Sequence, residues 1–341
     1  MTTFRIATEA DDSVLRAILR ENAMPTWVDM AVEREPSFFA AKNMFGCDWA
    51  VIAEDGENVV GMYTAAVVPV HVNGRPERVG YLGGLRVNPR YRRHIRYLRE
   101  GYASIRPMAP MTGSLPWWFT VVASDNTAAR RLLEAGVRGL PAYHLQGEYL
   151  TFAIPTARAR RHNLWHHTTD VSRIVEVHNA NAARFQCSPV LTEDLVHRIG
   201  VEKFFVCDHG VAALWDQRAF KQIVARNYRS LIGALVPAYN AYAKLFRRIP
   251  LPPPGGALDQ TFIAFLALSD SALSEARALS EDLLSHCSTP AASLGLHATH
   301  PLVDVIERFK PLRYPTRVYA VSFDGTVPPN GRPAQPEAAL L

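Results

Sequence analysis

The sequence predicts an α/β chain made of two tandem halves. Three observations carry that prediction. Short apolar, β-like runs alternate with stretches whose apolar residues recur at helical spacing. The order of these elements begins again after a basic, polar stretch at 156–167, with no evident residue identity between the copies, as in a divergent tandem duplication. The 341 residues are 48% hydrophobic and 20% charged, a globular composition with length for two ordinary domains.

In the first half, Phe4-Arg5-Ile6-Ala7 alternates like an opening strand. Asp11 and Asp12 cap a helix carrying Val14, Leu15, Ile18 and Leu19. A second helix is expected between Asp29 and Lys42. Trp49–Glu54 and Val59–Val70 read as a hairpin around Asp55-Gly56-Glu57-Asn58. A strand from about Arg78 to Val87 follows Asn73-Gly74, and then a helix from about Tyr91 to Ile105. Trp117–Ala123 is a dense β run. Ser124-Asp125-Asn126 caps a helix ended by Gly136, and a strand or strand pair spans Ala142 to Ile154.

The second half repeats this order. Helices are expected at Asp170–Phe185 and Thr192–Ile199, and a hairpin around Asp208-His209-Gly210. Strands at Thr261–Leu268, Ser293–His297 and Arg317–Phe323 alternate with helices at Ser274–His286 and Pro301–Phe309. The expected layout is a first domain at 1–155, a basic linker at 156–167, and a divergent second domain at 168–324 with a helical insertion at 220–247. Residues 325–341, rich in Pro, Gly and Ala, read as a disordered tail.

A net charge of +5 and a pI of about 9.1 suit an anionic small ligand without demanding nucleic acid. Cys47, Cys187, Cys207 and Cys287 lie far apart, which disfavours a disulfide framework or zinc ribbon and fits a cytoplasmic home. The start of the chain soon meets Glu9, Asp11 and Asp12, unlike a signal peptide. No apolar run reaches membrane-spanning length. Leu231 to Phe246 comes nearest, and it reads as a buried or amphipathic helix in preference to an interfacial membrane contact.

The most informative stretch is Leu85-Arg86-Val87-Asn88-Pro89-Arg90-Tyr91-Arg92-Arg93-His94-Ile95-Arg96-Tyr97. A β-like run ends in a basic cluster that opens a helix, and a helix start offers N–H groups and partial positive charge to anions. Arginines at a helix start oppose the helix dipole, which favours an anionic partner over a merely solvated face.

Three stretches in order resemble the GNAT superfamily of acyl-CoA-dependent N-acyltransferases over about residues 1–154. They are Phe4 to Asn22, the entry Leu85-Arg86-Val87-Asn88-Pro89-Arg90-Tyr91-Arg92, and the helix Asn126-Thr127-Ala128-Ala129-Arg130-Arg131-Leu132-Leu133-Glu134-Ala135-Gly136. The whole chain is similar to tandem members of that superfamily. The resemblance implies a mixed central sheet flanked by helices in each half. It also implies an acetyl-CoA or other acyl-CoA donor and an amine acceptor, a small molecule or a peptide. The strand ending at Val87 would splay from Trp117–Ala123, with pantetheine pairing near Leu85 and Val87. Pyrophosphate would sit on Arg92, Arg93, His94 and Arg96, with Asn126 as cap or ligand contact.

The chain departs from the family where Arg93, Ile95 and Tyr97 replace the small residues of the pyrophosphate loop. Large side chains there screen the backbone from phosphate. Leu133 stands where the family often has a tyrosine acid. Tyr81 is the one ionisable inward candidate on its strand for catalysis, with a groove-lining role as the alternative. Glu33 and Glu35 could approach the acceptor end or be surface glutamates on a helix. His286, Cys287, His297 and His300 fit no standard zinc spacing, so no metal is expected. The second half offers Ser269-Asp270-Ser271-Ala272-Leu273-Ser274-Glu275 in place of a phosphate loop. It is expected to bind no CoA and to complete the acceptor groove, rigidify the first half or mediate a homodimer. Two alternatives to the acyl-CoA enzyme remain: a non-catalytic sensor or assembly protein, and an acyltransferase drawing on a carrier protein's pantetheine.

Overall fold

The computed structural model describes residues 2–23, 28–40, 47–91, 94–106 and 113–341, without the side chains of Cys47, Asp48, Pro89 and Ser230. The first half contains β1 (Thr2–Ile6), α1 (Asp12–Glu21), β2 (Val28–Glu33), β3 (Cys47–Asp55), β4 (Asn58–Val72), β5 (Arg75–Val87), α2 (Ile95–Ile105), β6 (Trp117–Ala123), α3 (Thr127–Glu134) and β7 (Ala142–Pro155). The second contains β8 (His166–His167), α4 (Val171–Ala182), α5 (Glu193–Ile199), β9 (Phe204–Cys207), β10 (Gly210–Trp215), β11 (Gln222–Tyr228), α6 (Ser230–Leu245), β12 (Gln260–Leu268), α7 (Ala276–Ser285), β13 (Ala291–His297), α8 (Val303–Glu307) and β14 (Leu312–Ser322).

The main sheet has 12 strands in the order β1-β3-β4-β5-β6-β14-β7-β13-β12-β10-β9-β8. This order has the same plan from either end. Four antiparallel strands lead to one parallel step, β5 to β6 on one side and β12 to β13 on the other. The two centre strands are exchanged. β14 pairs with both β6 and β7, and β7 pairs with β13, so each half's sheet is completed by the other half's last strand. β12 and β13 are buried along almost their whole length, as their largely apolar sequences require. Trp118, Trp215, Tyr149 and Tyr319 are among the largest fully buried side chains.

The linker region is pinned rather than loose. The buried carboxylate of Asp282 accepts N–H bonds from His162 (2.6 Å), Asn163 (3.1 Å), Leu164 (2.7 Å) and Trp165 (2.8 Å). Burial pushes that carboxyl upward, but the four N–H groups outweigh it and hold it below the usual range.

Three expectations are corrected. Residues 29–33 of the expected helix belong to β2, which pairs antiparallel with β11 from the other half. Glu33 therefore lies on a strand, buried against Arg226 and Arg20, and Glu35 binds Arg16 and Arg20. Residues 222–228 of the expected helical insertion form β11, so the helix begins only at Ser230. Short apolar runs are ambiguous between helix and strand, and a distant partner decided both segments. The expected disordered tail is packed: Ala334, Ala338 and Ala339 are buried, and Tyr149 Oη donates to Pro336 O at 2.7 Å.

Candidate active site

The site begins where β5 and β6 stop pairing. Their parallel ladder consists of Gly80 with Trp118, Tyr81 with Phe119 and Leu82 with Thr120. Both strands run on, β5 to Val87 and β6 to Ala123, leaving a wedge between them. Thr120 Oγ1 donates to Leu82 O at 2.7 Å and marks its apex. Gly80 is required just before it, because a Cβ would lie 2.0 Å from the Trp118 ring.

Beyond the apex β5 bulges. Thr64 pairs with Gly83 and Met62 with Arg86, so Gly84 and Leu85 together oppose Tyr63. Gly84 has φ +61°, a conformation glycine adopts without steric cost. Gly83 makes room for the Tyr81 ring: a Cβ there would lie 3.0 Å from Tyr81 Oη. The Tyr81 side chain thus extends along β5 toward the bulge, beside Phe119 at 5.0 Å between ring centroids. Leu85 is exposed and Val87 half-buried, at the end of β5. Thr64, Gly83 and Gly84 were missed in the sequence, although a Gly-Gly pair inside a strand run is a bulge signal.

Downstream, Asn88 shapes the turn. Its N–H donates to Val60 O at 2.8 Å, and its side chain accepts the Arg90 N–H at 3.1 Å. Arg92 and Arg93 lie outside the described residues. His94, exposed, precedes α2, whose first turn carries no acidic residue and no side-chain cap. Two residues differ from expectation. Tyr97 does not screen the loop. Its ring is buried with Ala53 and Val60, and its hydroxyl donates to Asp55 Oδ2 at 2.9 Å. Arg96 is drawn toward the hairpin turn, 3.3 Å from the same Asp55 oxygen and stacked over the Tyr97 ring. Asn126 caps α3, accepting the Ala129 N–H at 3.2 Å. Leu133 packs into the apolar cluster beneath the wedge with Trp118 and Leu82.

The second half contains the matching wedge. β12 and β13 share three parallel pairs, ending at Phe262 with Ser293, and β12 bulges at Phe265, φ +53°. Here the chain's own segment 333–341 fills the gap. Gln335 accepts the His297 N–H at 2.8 Å and donates to Gly295 O at 2.8 Å. Glu337 accepts the Phe265 N–H at 2.7 Å and the Ala339 N–H at 3.0 Å. Lys221 Nζ donates to Leu341 O at 2.6 Å and to Ala339 O at 3.2 Å. Burial pushes Glu337 up to about 7 and Lys221 down to about 7, while their mutual attraction works against both shifts. Leu341 then reaches the apolar cluster of Trp117, Phe119 and Tyr81, on the Tyr81 side of the first wedge.

His297 stacks near Phe185 and His300, and no group of three or more metal-ligating side chains occurs among the described residues. No model of a known protein family matches the chain, and no curated protein matches its sequence. Its backbone is nonetheless similar to solved structures. Saccharomyces cerevisiae N-myristoyltransferase with bound myristoyl-CoA superposes with a TM-score of 0.58 at 12% identity, over 96% of this chain and 86% of that one. A putative acetyltransferase from Pyrococcus horikoshii gives 0.55 at 9% identity, over 98% and 92%. A GCN5-related N-acetyltransferase from Anabaena variabilis gives 0.51 at 10% identity, over 94% and 72%. The splayed, bulged sheet and these likenesses together establish that this chain has the GNAT fold.

Proposed function

We propose that this chain is an N-acyltransferase that moves an acetyl or longer acyl group from acyl-CoA to an amine, with the β5–β6 wedge as its donor site. One observation carries the reading: the parallel ladder stops after three pairs, and two residues beyond it a bulge at the left-handed Gly84 breaks the regular β5 backbone. The matching second wedge supports this reading. In the matching second wedge, an amide side chain pairs with the free strand edge and a carboxylate oxygen sits on the bulge N–H. A pantetheine amide and a thioester carbonyl present the same groups. The pseudo-symmetric strand order supports reading the halves as a divergent duplication, with CoA confined to the first.

In this reading, backbone near Leu85 and Val87 holds pantetheine. The start of α2, with His94 and Arg96, faces the pyrophosphate, Arg92 and Arg93 are assigned to it from the sequence alone, and Asn126 stands where α3 begins. Arg96 would exchange Asp55 for phosphate. A bulge N–H polarises the thioester carbonyl. The amine attacks that carbon, the N–C bond forms, the C–S bond breaks, and the amine proton is transferred as the CoA thiol leaves. Tyr81, its hydroxyl beside the bulge, is the group placed to handle that proton. The acceptor is an amine of a small molecule or peptide, reaching the Tyr81 side of the wedge.

The test is titration with acetyl-CoA and with a long-chain acyl-CoA, followed by thermal unfolding and tryptophan fluorescence. A ligand that binds only the native state stabilises it by about 2.7 kcal/mol at a hundredfold excess over Kd. Absence of saturable stabilisation by either thioester would sink the reading. The hold of Asp55 on Arg96 favours one second reading, a carrier-borne pantetheine donor without a nucleotide. Response to an acyl-phosphopantetheine carrier but not to acyl-CoA would select it.

A further inference from the structure

Helix α6 is apolar on two sides, but the fold covers only one. Ala243 is buried and Ile232 and Val236 are half-buried toward β11. On the adjoining side Leu231, Leu235, Tyr242 and Leu245 follow one another at helical spacing. The three leucines are 81%, 63% and 76% exposed, and Phe246 continues the stripe. A helix that is apolar all round is normally buried all round. Beside the stripe is a hollow of about 210 Å³, lined by Ile232, Leu235, Val236, Tyr239, Leu251 and Leu312.

Charge says what covers this face. From Gln217 to Leu258 the chain has no acidic residue and seven basic ones. Arg218 and Arg226 are committed to Asp216, Asp259 and Glu33. Arg229 lies exposed at the start of α6, and Lys244 and Arg247 lie exposed at its end. A second copy of the chain would set these cations against one another. An anionic bilayer would instead satisfy them while its acyl region takes the leucines and aromatic rings.

We propose that α6 is an interfacial membrane-binding helix, which docks the chain on anionic lipid with the Leu231–Leu245 stripe in the acyl boundary and Arg229, Lys244 and Arg247 among the headgroups. It lies in the membrane plane: no helix among the described residues is long and apolar enough to cross a membrane. The proposal is independent of the acyl-transfer reading.

The experiment is co-sedimentation of the full chain with vesicles of equimolar phosphatidylglycerol and phosphatidylcholine, compared with phosphatidylcholine alone. Binding to the mixed vesicles, weak or absent on the neutral ones and reduced by high salt, is the expected result. Leu235→Glu with Leu245→Glu, and separately Lys244→Glu with Arg247→Glu, should each weaken it by about tenfold or more. Leu235→Trp supplies a second readout that tolerates any folding defect of the charge variants: its emission should shift to the blue on mixed vesicles. No sedimentation and no shift on mixed vesicles overturns the proposal. So does a dimer in vesicle-free solution that Leu235→Glu splits, for then a second copy covers this face.

Discussion

The two wedges of this sheet share a plan and differ in what fills them. Each has three parallel pairs, a bulge two or three residues later and an exchanged strand at its side. At the first bulge the left-handed position is a glycine; at the second it is Phe265. A left-handed phenylalanine costs of order 1–3 kcal/mol and persists only where its surroundings hold it. Here Glu337 takes its N–H and residues 333–341 pack over it. The first wedge keeps a glycine backbone beside Tyr81, and its ladder ends in a gap. The difference teaches that one strand plan can end in a glycine bulge in one half and in a packed core in the other, where the chain supplies its own segment to cover the splayed strands.

Acidification should break the comparison most strongly. His178, between Phe265 O and Pro189 O, and His297, beside Gln335, frame the filled wedge. Burial holds each down to about 4, outweighing the two carbonyl contacts of His178. Both folded values lie below the usual 6.5, so the stability they confer is complete above pH 6.5 and is lost as pH falls toward about 4. His178 alone should remove about 3 kcal/mol. Glu337, held up to about 7, gains stability by protonation over the same window. The imidazole contribution is therefore read as the difference in urea unfolding between the chain and His178→Gln, and a difference that does not change with pH would count against the packed environment of His178.

Next comes the occupant itself. Glu337→Ala leaves the Phe265 and Ala339 N–H groups without their acceptor and Lys221 without its counter-charge. A loss of about 2 kcal/mol is expected by chemical denaturation. A loss below about 0.5 kcal/mol would mean that the segment merely lies in the gap.

The first wedge should respond in the opposite sense, in ligand more than in stability. Gly84→Val forces a β-branched residue into a left-handed position, with its Cβ 3.0 Å from Thr64 Oγ1. The cost should be about 1–2 kcal/mol, together with loss of any acyl-CoA response. Undiminished acyl-CoA affinity in this variant would separate the bulge from the binding site. The smallest effect should come from Asn126→Ala, about 1 kcal/mol from the lost α3 cap, measured by thermal unfolding. A clearly larger effect on acyl-CoA affinity than on stability would give Asn126 a ligand role beyond capping.

Much of this was legible locally. The Asn126 cap and the start of α1 at Asp12 rest on residues within a turn or two of one another, where propensity and hydrogen-bonding chemistry act directly. Asp11 and Asp12 do not cap α1 as expected, because the Asp11 carboxylate is taken by Arg5 and the Thr8 N–H and that of Asp12 by Ser37 and the Phe38 N–H. The Gly83-Gly84 pair inside a strand run is a local bulge signal of the same kind. Tyr97 shows the limit of reading side chains by size. A bulky residue in a phosphate loop screens it only if it points outward, and Asp55, on a separate hairpin, turns Tyr97 inward.

The sequence by itself determined the α/β alternation, the repeat of element order and the turn at Asn88 that follows β5, because each follows from periodicity or short-range chemistry. Only the tertiary structure decided the exchange of β7 and β14 between halves, the pairing of β2 with β11 across 189 to 200 residues, and the use of residues 333–341 to fill one wedge. The reason is common to all three. Backbone donors at a strand edge accept any correctly placed partner, and sequence distance does not enter the energy of a hydrogen bond once the fold has brought the edges together. A Pro- and Ala-rich tail therefore has order here because a splayed sheet left groups that Gln335 and Glu337 could satisfy.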